Sequence, residues 1–322
     1  MSDGINVLSL FDGMSCGQIA LERAGIKVAN YFASEIDKYA ITVTQRNYPD
    51  TIQLGDVCGV SGSDLPKIDL LIGGSPCQGF SFAGKKMNFD DPRSALFFEY
   101  VRLRGELEPE FFLLENVRMT EKSEAVVSKF MGVNPLKINS SLVSAQNRVR
   151  MYWTNIPGVK MPKDKGILLK DIIENGFVDR DKSLVCTAKD RVTKRGYETR
   201  SQGQIVFIKS RPHGNFKGSL DARDKMRTLI GSSERDSSVS LDDGRTWRKL
   251  TPLEFERLQT VPEGYTEGVS NSRRYMMLGN GWTVDVVAHI FSHMKKPCGG
   301  VSRYMEQITM PCVHGVEVID ED

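Results

Sequence analysis

Short apolar runs separated by helix-like stretches constrain the fold of this chain more than any other feature. The runs are Ile5–Leu10, Val28–Ser34, Ile52–Leu54, Ile68–Ile72 and Phe111–Leu114. The helix-like stretches between them are Gly17–Ala24, Lys38–Asn47 and Ala95–Leu107. Alternation of this kind is typical of βαβ units, which build a buried and mainly parallel sheet. The sequence therefore predicts an α/β fold.

The second half of the chain has a different character. Ser141–Ala145 and Met151–Thr154 predict a sixth and a seventh strand. Polar residues then dominate from about residue 160 to residue 248, where glycines indicate short strands and loops. Helical signals return with an N-cap and a first-turn proline at Thr251-Pro252, and a last helix is expected at about Val284–His293.

Charge is distributed unevenly along the chain. The 322 residues carry a net charge of +2, but residues 189–227 hold eleven basic and four acidic side chains. A charged stretch is usually a solvated face, yet an excess of this size favours contact with phosphates. The six cysteines are scattered without a CxxC pair, so neither a disulfide framework nor a zinc site is indicated. We expect a reducing, intracellular compartment, with no secretory signal and no membrane span.

A cysteine follows the fourth apolar run in the pentad Gly73-Gly74-Ser75-Pro76-Cys77. The carboxyl end of a strand in an open α/β sheet lies at the rim where such folds bind ligands. Pro76 stiffens the backbone there, and Gly74 permits close approach of another group. On these residues alone, a placed nucleophile and a small buried hydrophobe remain equal alternatives for Cys77.

Three acidic and glycine-containing segments predict a nucleoside site. Phe11-Asp12-Gly13-Met14-Ser15-Cys16-Gly17 joins the first strand to the first helix, whose N-terminus offers free N–H groups. Glu35 and Asp37 end the second strand and suit ribose hydroxyls, and Asp56 ends the third and suits an adenine amino group. The GxGxxG spacing of dinucleotide folds is absent. These features favour an adenosine ligand without a pyrophosphate, and S-adenosylmethionine fits that description.

Two further segments indicate catalytic chemistry. Glu115-Asn116-Val117 ends the fifth strand and faces the same crevice as the cysteine turn. Four apolar residues precede Glu115, so we expect partial burial and a raised carboxyl pKa rather than a helix cap or surface acid. Arg148 and Arg150 alternate in Gln146-Asn147-Arg148-Val149-Arg150 and should share a face, as surface cations or as donors to a base carbonyl or phosphate.

Taken together, these elements resemble the cytosine-5 DNA methyltransferase family. The matching elements, in the family's order, are Phe11–Gly17, Glu35, Gly55-Asp56-Val57, Gly74–Gln78, Glu115–Val117, Gln146/Arg148/Arg150, Leu250–Gln259 and Gly279-Asn280-Gly281. They span about residues 5–293. The sequences of three segments are similar to those of the animal de novo branch: Phe11–Gly13, Leu96–Tyr100 and Gly281–Val284. The chain departs from many bacterial members at Ser15, where they have a glycine, and at Ile36, where they have an aromatic residue.

The resemblance implies a Rossmann-like S-adenosylmethionine-dependent methyltransferase fold with a smaller target-recognition domain. We expect a catalytic and cofactor-binding domain over 1–158 and a target-recognition region over 159–248. A return segment over 249–297 would complete the catalytic domain, and 298–322 would form a C-terminal tail.

The resemblance also implies the site. The catalytic residues would be Cys77, Glu115, Arg148 and Arg150. The cofactor-binding residues would be Phe11, Asp12, Gly13, Ser15, Gly17, Glu35, Ile36, Asp56, Val57, Pro76, Asn280 and Trp282. The DNA-binding residues would be Gln78, Ser81, Lys85, Lys86, Arg191, Arg195, Arg211 and Arg227. No metal is implied.

In the implied reaction, Cys77 adds to carbon 6 of a cytosine flipped out of double-stranded DNA, Glu115 donates to ring nitrogen 3 and Arg150 holds oxygen 2. Carbon 5 then takes the methyl group of S-adenosylmethionine. The hinged, basic loop from Gln78 to Arg93 is expected to close over the DNA. The enzyme would work in the cytoplasm of a bacterial or phage-infected cell, near the nucleoid, or in a eukaryotic nucleus.

Three other functional hypotheses agree less well with the motifs of the sequence. A transfer-RNA cytosine methyltransferase of the same family would carry a Cys-Phe-Thr tripeptide, which this sequence lacks. A non-catalytic regulator would lose the Pro-Cys or Glu-Asn-Val residues, and both are present. A nicotinamide dehydrogenase would need the missing GxGxxG segment. The sequence leaves open whether the role is restriction–modification, phage protection or regulation.

Overall fold

The structure is a computed structural model, and it describes residues 4–75, 92–176, 181–183, 205–207, 238–241 and 245–294. Side chains are described within 4–75, 95–176, 181–183 and 250–294. No helix among these residues has the length and apolar character that a membrane crossing requires.

In the part of the chain that the structure describes, seven strands form the central sheet. They are β1 (Ile5–Leu10), β2 (Val28–Ser34), β3 (Ile52–Gln53), β4 (Leu70–Gly73), β5 (Phe111–Val117), β6 (Leu136–Asn139) and β7 (Val149–Thr154). Their spatial order is β3-β2-β1-β4-β5-β7-β6. Strands β1 to β5 pair in parallel, whereas β7 runs antiparallel to both of its neighbours. The α/β class predicted from the apolar runs is therefore confirmed.

Eight helices accompany the strands in the described residues. They are α1 (Cys16–Arg23), α2 (Lys38–Asn47), α3 (Pro92–Leu107), α4 (Glu121–Met131), α5 (Leu169–Ile172), α6 (Pro252–Leu258), α7 (Asn271–Asn280) and α8 (Val284–Phe291). Helix α6 begins at the predicted N-cap, where the Thr251 hydroxyl accepts from the Glu254 amide and the Glu254 carboxylate accepts from the Thr251 amide.

One predicted strand is wrong. Residues Ser141–Ala145 do not form a strand, because a 3₁₀ turn occupies Ser140–Leu142 and irregular backbone follows it. The Asn139 side chain accepts from the Ser141 amide at 3.1 Å and caps this turn. Short polar side chains that bond to nearby backbone compete with strand pairing. The sixth strand lies earlier, at β6, and is preceded by α4, which the apolar pattern did not reveal.

Both faces of the sheet are covered, which explains why its strands are apolar along their length. Alternate residues point to opposite faces, so Val7 belongs to one core and Leu8 to the other. The first core includes α1 and α8, which pack against each other, and the second includes α3 and α4. An ion pair of 2.6 Å joins Arg23 of α1 to Asp285 of α8. The end of the described chain thus packs on its beginning.

Among the described residues, three strands form a second, antiparallel sheet in the order β8-β10-β9. They are β8 (Ile205–Phe207), β9 (Ser238–Leu241) and β10 (Arg245–Lys249). Apart from Lys249 at the end of β10, they lie within the polar middle segment, where short strands were expected. The domain boundaries at 158, 248 and 297 stay predictions.

The carboxyl ends of β1 and β4 lie side by side at the middle of the sheet, because Leu10 pairs with Gly73. The chain reverses its winding direction between these two strands, and open α/β sheets bind ligands at such a point. A Cβ on Gly73 would lie 3.0 Å from the Leu10 carbonyl oxygen and 3.0 Å from the Tyr100 ring. Glycine here lets α3 pack closely on the strand end that leads to Cys77.

We predict that Gly73→Ala lowers the free energy of unfolding by about 1–3 kcal/mol, because neither the backbone oxygen nor the buried ring can move aside. Gly105→Ala is the matched control, since Gly105 lies in α3 and a Cβ added to it would meet nothing within 4 Å. It should be neutral or stabilising by up to about 1 kcal/mol. Urea unfolding measures both, and equal stability of the two variants would contradict the packing role of Gly73.

Candidate active site

The loop between β1 and α1 is held in an unusual backbone conformation. Phe11, Gly13 and Ser15 have φ values of 56°, 61° and 58°. A left-handed conformation costs a residue other than glycine about 1–3 kcal/mol, so the surroundings must enforce it. The Ser15 hydroxyl is buried, donates to the Asp12 carboxylate and accepts from the Thr44 hydroxyl at 3.2 Å. Ser15 therefore shapes the loop from its inner side.

Asp12 also faces inward. Its carboxylate accepts from the Tyr31 hydroxyl at 2.8 Å as well as from Ser15. Burial raises the pKa of Asp12 to about 6, against the hydrogen bonds from Ser15 and Tyr31 that lower it. Asp12 and Ser15 were predicted to bind the cofactor. Their hydrogen bonds support the β1–α1 loop, and their role in cofactor binding stays a prediction.

Glu35 ties this loop to the end of β2. Its carboxylate accepts from the Gly13 amide at 2.7 Å and from the amides of Ile36 and Asp37 at 2.7 and 2.8 Å. Asp37 caps α2 by accepting from the Tyr39 amide at 2.9 Å. The Ile36 side chain is 75% exposed. The strand end thus presents a fixed carboxylate beside an uncovered apolar side chain.

The residues at the ends of β1, β2 and β3 fit an adenosine group. Asp56 is exposed, and its carboxylate accepts from the Cys58 amide at 3.0 Å, which leaves acceptor capacity for a ligand amino group. Val57 is 4% exposed and packs in the core, so its backbone is the part that a ligand would meet. Nothing lies within 4 Å of a Cβ built on Gly13. Open space, an apolar side chain and carboxylates suit a nucleoside without a pyrophosphate.

Gly17 serves packing. A Cβ there would lie 2.5 Å from Ile72 and 2.7 Å from the Tyr31 hydroxyl. The ring of Trp282 comes within 3.7 Å of the same point. Asn280 is exposed at the end of α7, and Trp282 is half-buried two residues later. The structure thus brings the α7–α8 loop next to the start of α1.

Glu115 lies within β5, where it pairs with Tyr152 of β7. Arg150 is two residues from Tyr152, so it emerges on the same face of the sheet as Glu115. Its Nε atom lies 3.1 Å from Oε1 of Glu115. Burial leaves Glu115 8% exposed and raises the pKa of its carboxyl group, although Arg150, Arg148 and a hydrogen bond from Trp282 lower it. The expected burial of Glu115 agrees with the structure.

Arg148 has a different environment from Arg150. It is 2% exposed, and its guanidinium donates to the carbonyl oxygens of Gly279 at 3.1 Å and Gly281 at 3.0 Å. Its charge is near enough to lower the pKa of Glu115. Arg148 therefore holds the α7–α8 loop, and its catalytic role stays a prediction.

The hydrogen bonds of two residues at the site, Gln259 and Trp282, were not predicted from the sequence. Gln259 donates to the Leu278 carbonyl at 2.6 Å and accepts from the Thr283 hydroxyl at 2.9 Å, which makes it a second support of the α7–α8 loop. The Trp282 indole N–H donates to Oε2 of Glu115 at 3.2 Å. Gln259 ends a segment that matched the family's order, but no sequence pattern indicated its partners or those of Trp282.

The start of the cysteine turn is anchored beside Glu115. The Asn116 side chain donates to the carbonyl oxygen of Ser75 at 3.3 Å and to its hydroxyl at 3.2 Å. The remaining predicted site residues lie outside the described residues. They are Pro76, Cys77, Gln78, Ser81, Lys85, Lys86, Arg191, Arg195, Arg211 and Arg227. Among the described residues, no three His, Cys, Asp or Glu side chains are grouped to hold a metal ion.

Comparisons with known proteins show which family this chain matches. The profile of the C-5 cytosine-specific DNA methylase family matches residues 5–131 and 139–296. Type II methyltransferase M1.ScrFI of Lactococcus lactis subsp. cremoris is 30% identical over 313 residues, which cover 89% of this chain and 77% of that protein. Orphan methyltransferase M.Rho11sI of Bacillus phage rho11s is 41% identical over 283 residues, which cover 87% of this chain and 53% of the phage protein.

A solved structure shows the same fold. The Entamoeba histolytica methyltransferase EhMeth superposes with a TM-score of 0.65, and the match covers 90% of this chain and 98% of that one. The two sequences are 15% identical in the match, so the likeness concerns the fold.

Burial of Glu115 predicts a pH-dependent stability difference. A carboxyl group whose pKa is raised by folding stabilises the protein fully below its ordinary pKa of 4.5, and that stability is lost as pH rises through the raised value. We therefore expect the wild type to lose stability relative to Glu115→Gln as pH increases from about 4.5 towards neutrality.

Urea unfolding at a series of pH values measures this difference. Tyr152→Phe is the control, because burial raises the pKa of Tyr152 and keeps that phenol protonated throughout the range. Its stability should change with pH in parallel with the wild type. If the stability of Glu115→Gln changed with pH in parallel with that of the wild type, the raised pKa of Glu115 would be contradicted.

Proposed function

This chain belongs to the C-5 cytosine-specific DNA methylase family, and we propose that it methylates carbon 5 of a flipped-out cytosine in double-stranded DNA through a covalent Cys77 adduct. The relatives are DNA methyltransferases of restriction–modification and phage origin, so DNA cytosine-5 methylation is the activity of the family. The observation that carries the proposed mechanism is the buried carboxyl group of Glu115, held against Arg150 beside the strand that leads to Cys77.

The chemistry needs a nucleophile and an acid on one base. Carbon 5 of cytosine is a weak nucleophile, and addition of the Cys77 thiolate to carbon 6 makes it enamine-like. Glu115 donates a proton to ring nitrogen 3, so that negative charge does not accumulate on the ring. Burial favours the protonated form of Glu115, which suits this role. Arg150, next to Glu115, is the proposed donor to oxygen 2 of the base. Once carbon 5 carries the methyl group, its proton passes to a solvent base, ring nitrogen 3 returns its proton to Glu115 and the Cys77 thiolate leaves, which restores aromaticity.

We propose S-adenosylmethionine as the methyl donor. When bound, it supplies an electrophilic methyl group. Phe11 and Ile36 would form apolar walls for its adenosine part, Glu35 would meet the ribose, and Asp56 would accept from the adenine amino group. Asp12 and Ser15 would keep the β1–α1 loop in the conformation that receives it.

DNA contacts are proposed from the sequence. The target atom is unreachable inside a duplex, so the base must leave the stack at a cost of a few kcal/mol. Gln78, Ser81, Lys85 and Lys86 follow Cys77 in the sequence and are proposed to contact the DNA around the captured base. The basic segment of the target-recognition region would bind phosphates and read the major groove, with Arg191, Arg195, Arg211 and Arg227 among its contacts.

We predict that Cys77→Ala abolishes methyl transfer while duplex binding is retained, because the nucleophile is lost and the phosphate contacts remain. Wild-type protein should become covalently trapped on duplex DNA that contains 5-fluorocytosine when S-adenosylmethionine is present, since fluorine at carbon 5 blocks the final elimination. Denaturing gel electrophoresis and a radiolabelled methyl-transfer assay measure these outcomes.

Cys312→Ala is the matched control, because Cys312 lies beyond the segment that matches the family. It should be trapped and should methylate like the wild type. Trapping of the Cys77→Ala variant, or its unchanged activity, would refute the nucleophile assignment. Methylation of transfer RNA in place of duplex DNA would refute the substrate.

The two arginines should respond differently to alanine substitution. Arg150→Ala should fold normally but lower kcat by about 10²-fold, because it removes a donor placed at the reacting base. Arg148→Ala should destabilise the fold, because it removes the buried donor to the Gly279 carbonyl oxygen and one of the two donors to the Gly281 carbonyl oxygen. Thermal unfolding and single-turnover methylation separate the two effects, and unfolding of Arg150→Ala would make that residue structural.

A further inference from the structure

The carboxyl group of Glu115 is held on both of its oxygen atoms by different parts of the chain. Arg150 of β7 lies 3.1 Å from Oε1, and the indole N–H of Trp282 donates to Oε2 at 3.2 Å. Two contacts on opposite oxygens prevent the carboxyl group from turning about its last bond. Each oxygen keeps one further lone-pair direction, where a proton can be carried.

Trp282 owes its position to buried hydrogen bonds behind it. Arg148 donates to the carbonyl oxygens of Gly279 and Gly281, and Gln259 donates to that of Leu278. These bonds fix the backbone on the N-terminal side of Trp282. The hydroxyl of Thr283, the next residue, is bonded to Gln259 and accepts from Ser140 at 2.8 Å. The indole is therefore presented to Glu115 by a rigid loop.

The end of β4 closes the third side of the arrangement. A Cβ on Gly74 would lie 3.0 Å from Nε1 of Trp282 and 3.1 Å from Oε2 of Glu115. A side chain at that position would therefore press on both partners of the hydrogen bond. The glycine that precedes Ser75 thus allows the indole and the carboxyl group to meet against the strand end.

We propose that Trp282 is a positioning residue of the methylation reaction, whose indole N–H sets the orientation of the Glu115 carboxyl group towards the target base. This inference rests on the proposed function, and it goes beyond the expectation that Trp282 lines the cofactor site. Because the loop returns to the catalytic domain after the target-recognition region, the catalytic acid is oriented by segments that lie on both sides of that region in the chain.

The contact has an electrostatic consequence. Among the described residues, the charged and titratable groups that face Glu115 are Arg148, Arg150 and Tyr152, and Cys77 would join them during the reaction. The Trp282 hydrogen bond favours the ionised form of Glu115, so its loss should raise the pKa of that carboxyl group further. An activity that needs protonated Glu115 is lost as pH rises through this pKa. Loss of the indole N–H should therefore move the alkaline limb of the pH–activity profile, the range where activity falls as pH rises, to higher pH.

The first experiment tests the contact without requiring activity. Protein labelled with ¹⁵N in its three tryptophans gives three indole resonances, which single substitutions assign. We expect the Trp282 indole resonance to shift with pH as Glu115 titrates, and to stop shifting in Glu115→Gln. The Trp153 indole donates to Ser128 at 2.9 Å and should not follow that titration.

The second experiment tests the positioning role by kinetics. Trp282→Phe keeps an aromatic ring and removes the N–H, and Trp153→Phe is the matched loss of a buried indole hydrogen bond elsewhere. We expect Trp282→Phe to lower kcat by about 10- to 100-fold and to move the alkaline limb upward. The KM for S-adenosylmethionine should change less than kcat. Trp153→Phe should have the same alkaline limb in its pH–activity profile as the wild type.

The outcomes separate this inference from the proposed function. A Trp282 indole resonance that ignores the Glu115 titration overturns the inference, even if Trp282→Phe does not fold. A Trp282→Phe variant that raises the KM for S-adenosylmethionine, with kcat and the alkaline limb unchanged, also overturns it. Absence of methylation and of 5-fluorocytosine trapping in the wild type would instead refute the function, and the indole titration would remain a valid test of the contact.

Discussion

The structure of the site depends on one buried carboxyl group. Taking an ionised Glu115 out of water is costly, and the cost is reduced by donors to its oxygens and by protonation of the carboxyl group. Arg150 reaches it because β7 runs antiparallel beside β5, and Trp282 reaches it because the α7–α8 loop is held from behind. The contact therefore depends on the placement of β7 between β5 and β6 in the sheet. It also depends on the segment after residue 250, which brings the α7–α8 loop to Glu115.

A second network prepares the other end of the crevice. In the β1–α1 loop, every second residue from Phe11 to Ser15 has a left-handed backbone conformation. Side chains of neighbouring elements hold the loop in this conformation. Tyr31 of β2, Thr44 of α2 and Glu35 bond to Asp12, Ser15 and Gly13. Glycine adopts a left-handed φ without strain, so a serine at position 15 needs its surroundings to hold it there. Here serine keeps the conformation and adds two hydrogen bonds.

Prediction from sequence succeeded where local signals and periodicity agree. β1, β2 and α2 have the predicted bounds, and α6 begins at its predicted cap, because an apolar run or a capping pair determines each of them locally. It failed at Ser141–Ala145, where capping by Asn139 overrides an ambiguous pattern, and it overlooked α4 and α7. Within the site, residue types were predictable, but the direction in which Asp12, Ser15 and Arg148 point was not. Their partners lie on elements distant in the sequence.

The sequence by itself determined the α/β class, the family, and the residue types that the chemistry requires, because periodicity, spacing and motif order are properties of the linear chain. Only the tertiary structure decided which groups touch Glu115. Residues 115, 150 and 282 meet because strand order, register and loop closure superimpose distant segments. Sequence spacing carries no record of such contacts, since hydrogen bonds depend on distances and angles that exist only after the chain has folded.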